Sequence, residues 1–92
     1  MAALNPTAKR LHAISPGPVA LTLEDGTELV VDVSGAEFFQ QEFQAEGVGE
    51  DGETAYRFVT SEDNESVLLG RKRADGSGWE SVGAVVEATN VE

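Results

Sequence analysis

Val19-Ala-Leu-Thr-Leu-Glu-Asp-Gly-Thr-Glu-Leu-Val-Val-Asp-Val33 is the stretch that decides how this chain reads. Val19, Leu21 and Leu23 alternate with smaller or polar residues. After Asp25-Gly26, Leu29, Val31 and Val33 alternate again, so the stretch is a β-hairpin. Its register follows from burial. A two-residue turn at Asp25-Gly26 would put the two apolar sets on opposite faces. A three-residue loop, Glu24-Asp25-Gly26, pairs Leu21 with Leu29 and Val19 with Val31, which keeps all the large apolar groups on one face. Gly26 then takes the left-handed position of a bulged turn.

The same logic extends towards the C-terminus. Tyr56-Arg-Phe-Val-Thr60, Ser66-Val-Leu-Leu-Gly-Arg-Lys-Arg73 and Trp79-Glu-Ser-Val-Gly-Ala-Val-Val86 read as a meander of strands. Its turns are Ser61-Glu-Asp-Asn-Glu65 and Ala74-Asp-Gly-Ser-Gly78. One register puts Val59 opposite Val67, Val67 opposite Val85, Lys72 opposite Glu80, and Arg73 opposite Trp79. Gly70 and Gly83 lie inside strands and suggest bends where a small sheet curls towards closure.

Between these two β regions, Ser34-Gly35-Ala36-Glu37 fits a capping box and Gly47 a helix terminator. Phe39 and Phe43 stand one helical turn apart. This pattern predicts a short helix over 35–46, laying two phenylalanines over one opening of the sheet. Gly47 to Glu53 reads as a flexible acidic loop. Asn5-Pro6 could cap a helix over Ala8–Ile14. The abrupt Ser15-Pro16-Gly17-Pro18 favours a strand there instead. Residues 1–7 and 88–92 read as frayed termini.

The whole is one domain, residues 1–92, with no visible repeat or boundary. It is mainly β: about five antiparallel strands in a curled sheet or small open barrel resembling the SH3 or Sm-like type, with one short helix. A two-layer α+β sheet is the alternative.

Charge describes the solvent better than the task. Seventeen Asp and Glu stand against six Lys and Arg, a formal charge of −11. Such a charge destabilises a compact domain by self-repulsion. At ~1 M salt the Debye length falls to about 3 Å and the repulsion nearly vanishes. In its acid-rich, lysine-poor composition the chain resembles the small acidic proteins of haloarchaea, many without an assigned function. That resemblance is compositional, covers the whole chain and implies no site residues. The absence of cysteine excludes disulfides and thiolate metal sites. No leader segment or membrane span is visible, and the expected location is the cytoplasm.

No motif specifies an active site. His12 is the sole histidine, so a zinc site is improbable, and it reads as a strand or turn residue. No serine sits in a Gly-x-Ser-x-Gly elbow, which leaves a small hydrolase as a remote alternative. The acidic loops Glu50-Asp51-Gly52-Glu53 and Glu62-Asp63-Asn64-Glu65 miss EF-hand spacing. No catalytic residue, metal, cofactor or small-molecule substrate is expected.

One stretch departs from the acidic background. Arg71-Lys72-Arg73 holds half of the positive charge and is followed by Trp79. These four are the candidate binding residues. They could grip phosphates and stack bases. They could equally pair with Glu80 and neighbouring acids, or stack on Trp79. Counterion-driven phosphate binding falls steeply with salt, so three cations in molar salt add little affinity. The leading expectation is a non-enzymatic interaction module that binds a protein partner or itself, through a sheet edge or the Trp79 hairpin. A nucleic-acid-associated regulatory factor is second. Of the six aromatic side chains, Trp79 is the one expected to be half exposed.

Overall fold

The computed structural model describes residues 5–39, 42–62 and 65–91. One helix, α1 (Pro6–Ile14), precedes six strands: β1 (Gly17–Leu23), β2 (Glu28–Phe39), β3 (Glu42–Gly49), β4 (Ala55–Thr60), β5 (Val67–Lys72) and β6 (Trp79–Asn90). The strands pair in sequence order, all antiparallel, and β6 returns to β1. The barrel is therefore closed. The expected small β-barrel with one helix is present, with six strands and with the helix elsewhere in the chain.

The hairpin that opened the sequence keeps its expected register, with Val19 opposite Val31 and Leu21 opposite Leu29. Leu23 N–H donates to Thr27 O, which leaves Glu24, Asp25 and Gly26 as a three-residue loop, and Gly26 has φ +90°. Val19, Leu21, Leu23, Val31 and Val33 all enter the core.

Residues 35–39 and 42–46 are not helical but form the far end of β2 and the start of β3. Gln40 and Gln41 lie outside the described residues. The one-turn pairing of Phe39 with Phe43 is replaced by cross-strand pairing of Phe38 with Phe43, ring centroids 5.1 Å apart. Phe39 is 51% exposed and Phe43 fully buried, on opposite sides of one wall. Strand alternation of Phe43, Ala45 and Gly47 into the core outweighs the local helical signals. Gly47 terminates nothing. A Cβ there would press on the backbone carbonyl of Asp32 and on Val31, so glycine lets β2 and β3 approach closely. β3 continues to Gly49, inside the stretch that reads as an acidic loop.

The helix lies at 6–14, where the sequence favoured a strand. Asn5 Oδ1 accepts from Ala8 N–H, Pro6 occupies the first turn, and Ser15 N–H and Oγ donate to Leu11 O. Each of the six strands is already paired on both sides, so this segment has no edge to join. It instead packs Ala8 and Leu11 into the core beside β6, where Arg10 Nε donates to Ala88 O. β6 runs to Asn90 against β1, and Val91 N–H donates to Pro18 O, so residues 88–91 are tied down.

Closure needs curvature, and bulges supply it. Registers shift between Val33 and Gly35 in β2, and twice along β6. One β6 bulge inserts an extra residue beside Gly83 (φ +152°), opposite the Leu69–Gly70 step. Gly70 and Gly83 thus mark a bend, as their placement in the sequence suggests.

A repeated turn also emerges. The β1–β2, β3–β4 and β5–β6 connections share an Asp-Gly turn at Asp25-Gly26, Asp51-Gly52 and Asp75-Gly76. Each Asp Oδ1 accepts a backbone N–H two residues on. These bonds hold all three carboxyls below their usual range, Thr27, Thr54 and Ser77 being the respective leading causes. Asp51, which also takes the Thr54 hydroxyl, falls to about 2. All three turns sit at the end of the barrel opposite α1. Among the described residues no helix is long and apolar enough to cross a membrane.

Candidate interaction surface

The basic hairpin is built on β5 and β6, and its register differs from the expected one by a residue. Thr60, not Val59, lies opposite Val67. Val67 does face Val85, but beyond the bulge Arg71 faces Glu80 and Lys72 faces Trp79. The expected Lys72–Glu80 and Arg73–Trp79 pairs are corrected because β6 carries the extra residue.

That shift decides the chemistry of the cationic run. Arg71 Nη2 and Nε both donate to Glu80 Oε1, at 2.6 and 2.8 Å. The carboxylate raises the guanidinium pKa further, with a smaller contribution from Tyr56. Arg73 closes the hairpin tip, its N–H donating to Gly78 O. Arg71, Lys72 and Arg73 line a groove of about 630 Å³ together with Glu53, Thr54 and Ala55. Acids therefore border this groove at Glu53 and Glu80.

Trp79 belongs to a different cleft. Strand alternation puts Lys72 and Trp79 on the outer wall, and Arg71 with Glu80 on the side continuous with the interior. The four candidate residues thus divide between two sites. Trp79 is 41% exposed, as expected. Its indole lies across Gly70, where a Cβ would stand 3.9 Å from the ring. It meets Arg57, whose guanidinium carbon is 5.2 Å from the ring centroid. The cation–π partner of Trp79 is therefore Arg57 from β4, not a member of the basic run.

This stack borders a cleft of about 640 Å³ lined by Gly35, Ala36, Glu37, Gln44, Ala45 and Glu46. Arg57 and Trp79 share this lining with two carboxylates, Glu37 and Glu46. Beside it runs an outward apolar row, Val59–Leu68–Ala84, joined by direct cross-strand pairing. Leu68 is 38% exposed.

Two of these residues were not singled out from the sequence. Leu68-Leu69 inside a strand carries the signal for one, since one of two adjacent leucines must face outward. Arg57 carried a weaker signal. Glycine at position 70 leaves room for an indole to cross β5, but only the bulged register aims Trp79 there.

His12 lies exposed on α1, not in a strand or turn, with its ring 5.3 Å from Phe38. Among the described residues no group of three or more His, Asp or Glu is placed to hold a metal ion. The Glu62–Glu65 loop lies partly outside them, at Asp63 and Asn64.

The fold and surface define a class: a small closed antiparallel barrel with an aromatic–cation stack on its outer wall. Within that class, the chain belongs to a family described as a domain of unknown function (DUF8072), whose model matches residues 1–92. No curated protein and no solved structure matches the chain.

Proposed function

We propose that this protein is a non-enzymatic interaction module that binds a protein partner through the outer wall of β4–β6. The observation that carries this reading is the Arg57–Trp79 stack, set beside the exposed row Val59–Leu68–Ala84. Aromatic and arginine side chains anchor interface hot spots. Here a tryptophan and a leucine remain in water although the core is filled by other residues. Barrel closure removes sheet-edge pairing as a mode, because β1 and β6 satisfy each other. Binding must therefore use side chains on a face.

The setting we propose is an archaeal cytoplasm of high salt. The −11 charge supports it, because only screening makes such a surface comfortable. The domain should lose structure cooperatively as KCl falls from molar to ~0.1 M. An unchanged far-UV circular dichroism spectrum and melting temperature over that range would exclude this habitat.

A second reading rests on the groove beside Arg71, Lys72 and Arg73, which could take a nucleic-acid backbone. Glu80 occupies Arg71 and Trp79 is not part of the lining, so the groove offers neither three unpaired cations nor a stacking platform. One pull-down in about 2 M KCl separates the readings. The bait is wild type, Leu68→Ser/Trp79→Ala, or Arg71→Ala/Lys72→Ala/Arg73→Ala. Loss of one defined protein from the outer-wall variant alone supports the module. Loss of bound nucleic acid from the triple variant alone supports the second reading and overturns the first.

A further inference from the structure

We infer that the partner on this wall is a second copy of the chain, docked across a twofold axis. The Arg57–Trp79 ridge of each copy enters the Glu37/Glu46 cleft of the other. This inference rests on the outer-wall reading above and names the occupant.

The argument starts from the layout of the wall. Cross-strand pairing places Glu46 of β3 directly beside Arg57 of β4. Adjacent opposite charges on a sheet usually meet. Here Arg57 turns to the indole, and among the described residues it makes no ion pair. Glu37 and Glu46 have no side-chain partner there either. One cleft is therefore lined by a cation on an indole and by two carboxylates, with no ion pair among them in the described residues.

A twofold axis between them resolves this. In an isologous interface, residue i of one copy meets j of the other and j meets i. A ridge adjoining a complementary cleft is the shape that such an axis requires. The Arg57 guanidinium of one copy then reaches the carboxylates of its partner, and the indole covers the wall at Gly35. Leu68 and Val59 lie next to the stack and come under cover with it. Aromatic-on-glycine contact needs a place without a side chain, and on this face Gly35 supplies it.

Salt fits the same picture. Two copies of charge −11 repel one another strongly in dilute buffer. In molar salt the repulsion is screened within about 3 Å, while apolar burial is retained. A charge pair brought into contact is screened less than charges far apart. The dimer therefore forms in high salt and separates in low.

The test is sedimentation equilibrium in about 2 M KCl. Wild type is expected at twice its 9.7 kDa. Arg57→Glu places acid against acid at both contacts, and Glu46→Arg places base against base, so each alone is expected to be monomeric. An equimolar mixture restores both contacts and is expected to dimerise. Trp79→Ala weakens the dimer roughly thirtyfold. Circular dichroism confirms that each variant folds.

Should either charge variant fail to fold, single-cysteine variants replace it. The chain has no cysteine, so Glu46→Cys mixed with Arg57→Cys reports one contact. A disulfide between the two variants, formed well ahead of either homodimer, is expected. A monomeric wild type, a mixture that stays monomeric, or crosslinking no faster than random overturns the inference. A monomer that still captures a protein through Trp79 overturns the second copy and leaves the interaction module standing.

Discussion

Leu68 and Leu69 are consecutive residues of one strand, and the barrel wall leaves 38% of the first in water and 1% of the second. The inside of this wall, with Phe58, Val67 and Leu69, explains why the chain folds. The outside, with Arg57, Leu68 and Trp79, has no such explanation. A sheet with one face in water should alternate apolar with polar. Here the alternation fails on the outer face over β4–β6, as it also does at Phe39 on β2. Nothing in the stability of the monomer requires that failure, so it points to something outside the monomer.

The difference can be broken from the inside first. Phe58→Ala empties a fully buried site and should cost about 3–5 kcal/mol. In a domain this size that is most of the stability, read as a collapse of the urea midpoint. Leu69→Ala should cost about 2–5 kcal/mol, whereas Leu68→Ala, measured at concentrations dilute enough for the monomer, should stay within about 0.5 kcal/mol. Equal effects of the two leucines on chemical denaturation would erase the distinction between the faces.

Gly47→Ala comes next, since its Cβ would meet backbone rather than a yielding side chain. Overpacking there should cost about 1–3 kcal/mol and lower the melting temperature. The smallest effect lies at the Asp51 turn. Its carboxyl is depressed from 3.8 to about 2 by Thr54 and by backbone N–H groups. The associated stability is present above the unfolded value of 3.8 and is lost as pH falls through about 2. A carboxyl titration by NMR should place Asp51 below Asp25 and Asp75, whose values are lowered less. An Asp51 midpoint near 3.8 would dismiss the turn as a contributor.

How much was legible follows from what each signal measures. The Val19–Val33 hairpin reads correctly because alternation and loop length act within fifteen residues. The 35–46 segment misleads because its Phe39/Phe43 spacing and Ser-x-x-Glu pattern are also local, yet Phe43 answers to Phe38 on the neighbouring strand. The segment at 8–14 reads ambiguously for the opposite reason. Its caps are sufficient for a helix, but whether a sheet edge awaited it depended on β6 reaching β1.

The candidate site divides along the same line. The basic run and Trp79 stand out against the acidic background, and Trp79 is indeed half exposed. Their grouping into one site does not survive a single extra residue in β6. That bulge turns Lys72 to Trp79 and gives Arg71 to Glu80. No local pattern counts a bulge, because its benefit is barrel closure, collected around six strands at once.

The sequence by itself determined a small β-rich domain, the first hairpin and its register, the Gly70 and Gly83 bends, and a surface of charge −11. Each of these is a property of residues close in the chain or of simple composition. Only the tertiary structure decided that the barrel closes, that the helix is the N-terminal one, and that Arg57 is the residue beside Trp79. The reason is physical. Those outcomes depend on which strands meet and with what offset, and that is fixed by burial summed over the whole barrel rather than by any segment's own preference.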